Sequence, residues 1–132
     1  MISNCLYCKH EINYSPSNRT GKYCNNKCQQ RHKFEIETRP RIEAGEVKQT
    51  LTLRRYLEII RGYQCEYCSN NGTHNDKSLT LQVDHIDGNS DNNIPKNIRL
   101  LCPNCHSQTE TWVSRNKKSS RRNKYLQKYK NG

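Results

Sequence analysis

Apolar residues are scarce in this chain. Of its 132 residues, 31% are hydrophobic, and the mean hydropathy is −1.17. Ordering a backbone costs roughly 1–2 kcal/mol per residue, and so little apolar surface cannot offset that cost by burial alone. No run approaches the roughly 18 apolar residues of a membrane span. The stretch MISNCLYCKHEI lacks the apolar segment of a secretory signal. Acid is missing from the C-terminal end: residues 113–132 hold eight Lys and Arg and no Asp or Glu, so +8 of the formal +11 lies there. The expectation is a soluble, cytoplasmic protein with no membrane partner, reduced thiols and a basic tail.

What the chain has instead of a large core is cysteine. All eight fall in four close pairs, Cys5/Cys8, Cys24/Cys28, Cys65/Cys68 and Cys102/Cys105. Pairs two or three residues apart chelate metals more often than they form disulfide halves. Cys5/Cys8 and Cys24/Cys28 enclose a 15-residue loop and make one four-cysteine site. Cys65/Cys68 and Cys102/Cys105 make a second. Interleaved pairing would require longer loop closure at both. Two closed four-thiolate shells leave no open position, so the expectation is two structural Zn2+ ions. His10 and His32 could replace a cysteine in the first site, or be exposed residues of a basic surface.

Between the pairs of the second site lies LTLQVDHIDGNSDNNIPKNIRLLCPNCH, residues 79–106. Alternation of Leu79, Leu81 and Val83 with polar neighbours predicts a half-buried strand. Asp87-Gly88-Asn89 breaks it, Ile98 to Leu101 offers a second strand, and Pro103 suits the first position of a helix. A strand, loop, strand and helix then bring Asp84, His85 and His106 towards one point. These residue types suit metal-assisted phosphodiester hydrolysis: Asp84 and His106 as ligands of a divalent ion, His85 as the base for water. Neighbours on a strand point to opposite faces, so Asp84 and His85 can share a site only where the strand twists or ends. Arg99 reads equally as a phosphate contact or a solvent-facing strand residue.

The segments Asp84-His85-Ile86, Asn97-Ile98-Arg99-Leu100-Leu101 and Cys102-Pro103-Asn104-Cys105-His106 resemble the HNH endonuclease family. With Cys65-Glu66-Tyr67-Cys68 the resemblance covers about 65–110. It implies a ββα-metal, treble-clef-like nuclease core within a small zinc-stapled α+β fold. It further implies that His85 is the general base, Asp84 and His106 hold a catalytic Mg2+ or other divalent ion, and Asn97 orients the base by bonding across the loop. DNA is the implied partner. The wider resemblance, to small phage-encoded HNH proteins, implies a second copy of this chain or phage packaging proteins as candidate partners, and the host cytoplasm as the place of action. The competing reading is a non-catalytic zinc ribbon that binds nucleic acid, for which two four-cysteine sites and a basic tail suffice.

The chain divides on this reading into a zinc module at 1–38, a linker at 39–50 containing Pro40 and Gly45, the nuclease domain at 51–112 and the basic tail at 113–132. Asn25-Asn26 can cap a helix carrying Cys28, which Pro40 ends or kinks. Leu53, Leu57 and Ile60 predict an amphipathic helix, started by Thr52 and stopped by Gly62. Asn70 to Ser78 reads as a polar loop.

Overall fold

Cys5 and Cys65 each open the same backbone figure. Cys5 N–H donates to His10 O at 2.9 Å, and Lys9 N–H returns to Cys5 O at 3.0 Å. Likewise Cys65 N–H donates to Asn70 O at 2.8 Å, and Ser69 N–H returns to Cys65 O at 3.0 Å. The residue after the second cysteine, Lys9 or Ser69, takes a φ of 66° in both, which turns the chain tightly enough to bring two sulfurs to one side. The computed structural model describes residues 3–12, 21–116 and 120–130. The loop expected around Pro16 and the basic residues Lys117 and Lys118 lie outside the described residues. The chain forms two compact units, Met1–Arg41 and Ile42–Gly132.

In the first unit, strands β1 (Ser3–Asn4) and β2 (Glu11–Ile12) pair antiparallel on either side of the knuckle, Ser3 opposite Ile12. Helix α1 (Asn26–Lys33) is capped by Asn25, whose Oδ1 accepts the Cys28 N–H at 2.9 Å. Arg31, His32 and Lys33 occupy its last turn, where cations complement the helix dipole. The helix then widens instead of stopping: Phe34–Thr38 is a π-helical turn, and Arg39 N–H donates to Phe34 O. Helix α2 (Arg39–Glu43) follows directly, in the first part of the stretch read as a linker. A proline has no N–H and its ring collides with the carbonyl four residues back. The extra residue per turn just before Pro40 shifts that carbonyl aside, so Pro40 is accommodated by a change of winding.

In the second unit, helix α3 (Thr50–Arg61) buries Leu53, Tyr56 and Leu57. Ile60, expected on this stripe, is 40% exposed, and the larger Tyr56 ring takes its place. Gln49, not Thr52, stands at the N-cap, and the Thr52 hydroxyl donates to Gln49 Oε1 at 3.2 Å. Gly62 ends the helix at φ 88°, its N–H on Glu58 O. The stretch 70–78 is not a plain loop. Strands β3 (Thr73–His74) and β4 (Lys77–Ser78) form a hairpin about Asn75 and Asp76, both at positive φ as a two-residue I′-type turn demands.

The strand predicted from Leu79 begins its pairing at Gln82. Leu79 N–H goes to Gly72 O and Leu81 N–H to the Tyr63 hydroxyl, which leaves neither for a ladder. Strand β5 (Gln82–His85) pairs antiparallel with β6 (Ile98–Leu101), Asp84 opposite Arg99 and His85 opposite Ile98. Helix α4 (Pro103–Ser107) follows, with Pro103 at its first position. Leu53, Leu57, Leu81, Ile98, Leu100 and Leu101 form the fully buried core with Ile42. Glu66 fastens the second knuckle to β6: its N–H donates to Leu100 O at 2.8 Å, and its carboxylate accepts the Leu100 N–H at 2.6 Å. Arg61 closes the corner, donating to Glu66, Ile98 O and Pro95 O. A short helix α5 (Ser120–Lys130) lies at the C-terminal end. Among the described residues no helix is long and apolar enough to cross a membrane.

Tyr63 bridges this unit through its hydroxyl, donating to Leu79 O at 2.9 Å and accepting the Leu81 N–H at 3.2 Å. Gly72 sits at φ 83°, and a Cβ there would overlap the Tyr63 ring. Gly72→Ala is therefore expected to lose roughly 2–4 kcal/mol in urea unfolding, the sum of a left-handed backbone penalty and an overpacking penalty. Gly62→Ala, where nothing lies within 4 Å, should lose only the backbone part. Equal losses at the two positions would remove the packing argument.

Candidate functional site

Strand β5 ends at His85, and that ending decides how its two chemical side chains meet. Asp84 is 3% exposed, and His85, half-buried, is the last paired residue before the turn closed by Gly88 N–H on His85 O. Both line one cavity of about 700 Å³, together with His106 from α4. The register that sets Arg99 opposite Asp84 also puts its guanidinium on the carboxylate: Nε donates to Asp84 Oδ2 at 2.8 Å. Arg99 is thus ion-paired with Asp84, its side chain 31% exposed.

The other carboxylate oxygen faces His106. Asp84 Oδ1 lies 3.5 Å from His106 Nε2, while His106 Nδ1–H donates to Gln82 Oε1 at 2.6 Å. A proton on Nδ1 leaves a lone pair on Nε2. The ring is held edge-on to Trp112, centroids 4.8 Å apart. Burial holds the imidazole below its ordinary titration range; Asp84 pulls it upward, and Arg99 and His85 push it down. A neutral imidazole nitrogen and a carboxylate oxygen facing each other are two acceptors with no donor between them. Such a pair could hold a divalent cation, with Gln82 and Arg99 positioning the two side chains from behind.

His85 points its other chemistry the opposite way. Its Nε2–H donates to Asn93 Oδ1 at 2.7 Å, and the Asn93 amide is itself tied to Ser90 O at 3.2 Å. Nδ1 is then the basic nitrogen. Asn93, 2% exposed, is the functional residue that the sequence reading missed. In a run of Asp, Gly, Asn and Ser nothing in composition separates the one buried amide from its exposed neighbours.

Asn97 does not touch His85. Its Nδ2 donates to Asp87 Oδ1 at 2.9 Å and Asn92 O at 2.8 Å, and its Oδ1 accepts the Asp87 N–H at 3.1 Å. Its backbone carbonyl accepts the Ile86 N–H at 2.8 Å. The bridge across the loop therefore runs to Asp87 and Asn92. Burial works against ionisation of Asp87, but hydrogen bonds from Asn92, the Asn89 N–H and Asn97 outweigh it. Its carboxyl is held below the ordinary carboxylate range.

The eight cysteines gather as two clusters, Cys5/Cys8/Cys24/Cys28 and Cys65/Cys68/Cys102/Cys105, with the sulfurs of each within 4.8 Å of one another. None is disulfide-bonded. His10 and His32 belong to neither cluster; His32 Nδ1 meets the Tyr23 hydroxyl at 2.8 Å. In each cluster burial disfavours the leading thiolate, but backbone N–H groups prevail and bring Cys5 and Cys65 down to about 6. The hydrogen bond with the Cys8 sulfur, 3.3 Å away, pushes Cys24 up to about 12, and burial pushes Cys105 up to about 12. Either set of four sulfurs is close enough to hold a metal ion. Cys68 Sγ and Cys102 Sγ are 3.7 Å apart, near the edge of a tetrahedron with zinc–sulfur arms of about 2.3 Å.

Residues 65–111 match the HNH endonuclease family. A relative, the H-N-H endonuclease F-TflIV of Escherichia phage T5, is 41% identical over 59 residues, which is 45% of this chain and 26% of the relative. The chain thus aligns with about a quarter of that protein's length. No solved structure matches this chain.

The depressed Asp87 carboxyl carries a pH signature. A folded-state value below the unfolded one stabilises above the unfolded value and is lost as pH falls through the folded one. Asp87→Asn should lower stability by about 0.5–1.5 kcal/mol, the net worth of a hydrogen bond. The gap to the parent protein in urea midpoint should be full above about pH 5 and shrink below about pH 4, since an unperturbed Asp titrates near 3.9. A gap that stays constant to low pH would mean that the loop does not depend on the ionised carboxylate.

Proposed function

From the match of residues 65–111 to the HNH endonuclease family we propose that this protein is a metal-dependent endonuclease that hydrolyses the phosphodiester bonds of DNA. The observation that carries the proposal is the facing pair Asp84 Oδ1 and His106 Nε2 at 3.5 Å, with the imidazole of His85 lining the same cavity. On this reading β5, β6 and α4 are the ββα-metal core.

Asp84 and His106 would hold a divalent ion, Mg2+ or another, which would supply the positive charge that phosphodiester hydrolysis needs at the phosphorus and the leaving oxygen. His85 Nδ1 takes the proton of the attacking water. Asn93 keeps that nitrogen free by accepting the Nε2–H, and Asn97 fixes the loop on which Asn93 sits. Arg99 holds the Asp84 carboxylate so that Oδ1 stays turned to His106. The two cysteine clusters would hold structural Zn2+ and leave no open position for chemistry. One such site cuts one strand, so a double-strand break requires a second copy or a second visit. Thiolate sites of this kind suit the reducing cytoplasm.

Purified protein incubated with plasmid in Mg2+ or Mn2+ should cut it, and EDTA should stop the reaction. His85→Ala should slow cleavage by on the order of 10²–10⁴-fold while the protein still shifts DNA in a gel. A parent protein that shifts plasmid and leaves it uncut with either metal would mean a zinc-ribbon binder. Elemental analysis should return two zinc ions per chain. Cys65→Ser should unfold the nuclease domain, because structural zinc supplies roughly 10–16 kcal/mol of binding free energy coupled to folding. Cys5→Ser should disorder only the first unit and leave cleavage measurable. Absence of zinc would return the clusters to plain thiols.

A further inference from the structure

The cavity before Asp84, His85 and His106 is not closed by the HNH domain alone. Lys48, ahead of α3, lines it from one segment, and Asn116, Arg121 and Lys124 line it from the C-terminal segment. That segment returns to the core after Trp112. Asn116 Nδ2 donates to Gly88 O at 2.6 Å, and a Cβ on Gly88 would meet both Asn116 and Thr111. Arg115 donates to Ser107 O. Lys124 Nζ lies 3.8 Å from Asp91 Oδ2, with its side chain 74% exposed. Among the described residues Lys48 and Arg121 have no carboxylate partner.

Charge is distributed unevenly about this cavity. Residues 42–112 carry seven Lys and Arg against nine Asp and Glu, a net −2, whereas 113–132 carry +8. A polyanion entering the cavity meets Asp84, Asp91 and an acidic stretch of chain. Arg99, the cation nearest the site, is committed to Asp84. We infer that Lys48, Arg121 and Lys124 hold the phosphates that flank the scissile one, so that α5 is a wall of the active cleft. The inference rests on the nuclease reading above. Exposed ammonium and guanidinium groups without a strong partner are what backbone phosphates engage, Arg in a bidentate manner. The Lys124–Asp91 pair is long and exposed, so a phosphate displaces the carboxylate at little cost.

The test uses the full chain on a His85→Ala background, so that binding to a fluorescent DNA duplex is read without cleavage. The parent is compared with the triple variant K48A/R121A/K124A and with the control K77A/K128A/K130A, which removes the same charge from exposed positions outside the cavity. Each phosphate contact contributes about −0.9 to the slope of log affinity against log salt. The cleft triple should lower the magnitude of that slope by about 2 to 3, and the control by less than about 1. Should the triple fail to fold, Arg121→Gln alone should lower it by about 1. With His85 restored, the cleft triple should raise the half-saturating DNA concentration at least tenfold, and the control should not. Equal slopes for cleft and control triples, or an unchanged slope in the cleft variant, overturn the inference. A parent chain that binds DNA but never cuts it overturns the nuclease reading instead, and the binding arm still decides the role of the three cations.

Discussion

The sulfurs of Cys65, Cys68, Cys102 and Cys105 lie within 4.8 Å of one another, close enough to hold one metal ion, and the second unit is organised about that cluster. Its fully buried side chains are few, too few to order 91 residues by burial alone. The cluster of Cys65, Cys68, Cys102 and Cys105 joins the end of α3 to the start of α4, which are far apart in sequence. Between them run strands β5 and β6 and the loop that carries Asn93. Whatever holds the sulfurs therefore also sets the distance from Asp84 on β5 to His106 on α4. Glu66 and Arg61 make the same junction in oxygen and nitrogen, tying the knuckle to β6 from the other side.

Both clusters use one device: a knuckle supplies two sulfurs, and the N-terminal end of a helix supplies two more. The different spacings, Cys24 to Cys28 and Cys102 to Cys105, follow from how each helix is capped. In the first, Asn25 is inserted to accept the Cys28 N–H. In the second, Cys102 is itself the cap, and its sulfur accepts the Cys105 N–H at 3.4 Å. An added capping residue accounts for the longer spacing.

Local constraints were legible in the sequence. Chelation fixes the separation of cysteines, so the division of eight into two sets of four follows from spacing. Pro103, Gly62 and Asn25 stand at helix ends because single residues decide those ends. What the sequence withheld depends on partners distant along the chain. The stripe of α3 includes Tyr56 because Glu43 and the core beneath receive it, and β5 starts at Gln82 because Tyr63 and Gly72 take the earlier amides. Arg99 was ambiguous until the register put it opposite Asp84. The turn of Asn75 and Asp76 has its own signal in two residues that tolerate positive φ, but a polar stretch hid it. The return of the C-terminal segment to Gly88 had no signal, since a run of Lys and Arg looks alike whether it packs or not.

The stretch from Ile86 to Asn97 has almost no regular structure, yet most of its amides are engaged. Ile86 and Asp87 donate to Asn97, Gly88 to His85, Asn89 to the Asp87 side chain, Asp91 to the Asn89 side chain, and Asn92 to Asn89 O. Such a loop behaves as a solid part. The engaged amides are expected to exchange with solvent slowly for a segment that looks like coil, because opening one of them breaks a chain of side-chain acceptors at once. The same interlock makes its length a fixed quantity: one residue more or fewer would break the alternation of donors and acceptors around Asp87 and Asn97. Variation in this part of the fold is therefore confined to side chains that leave the interlock whole.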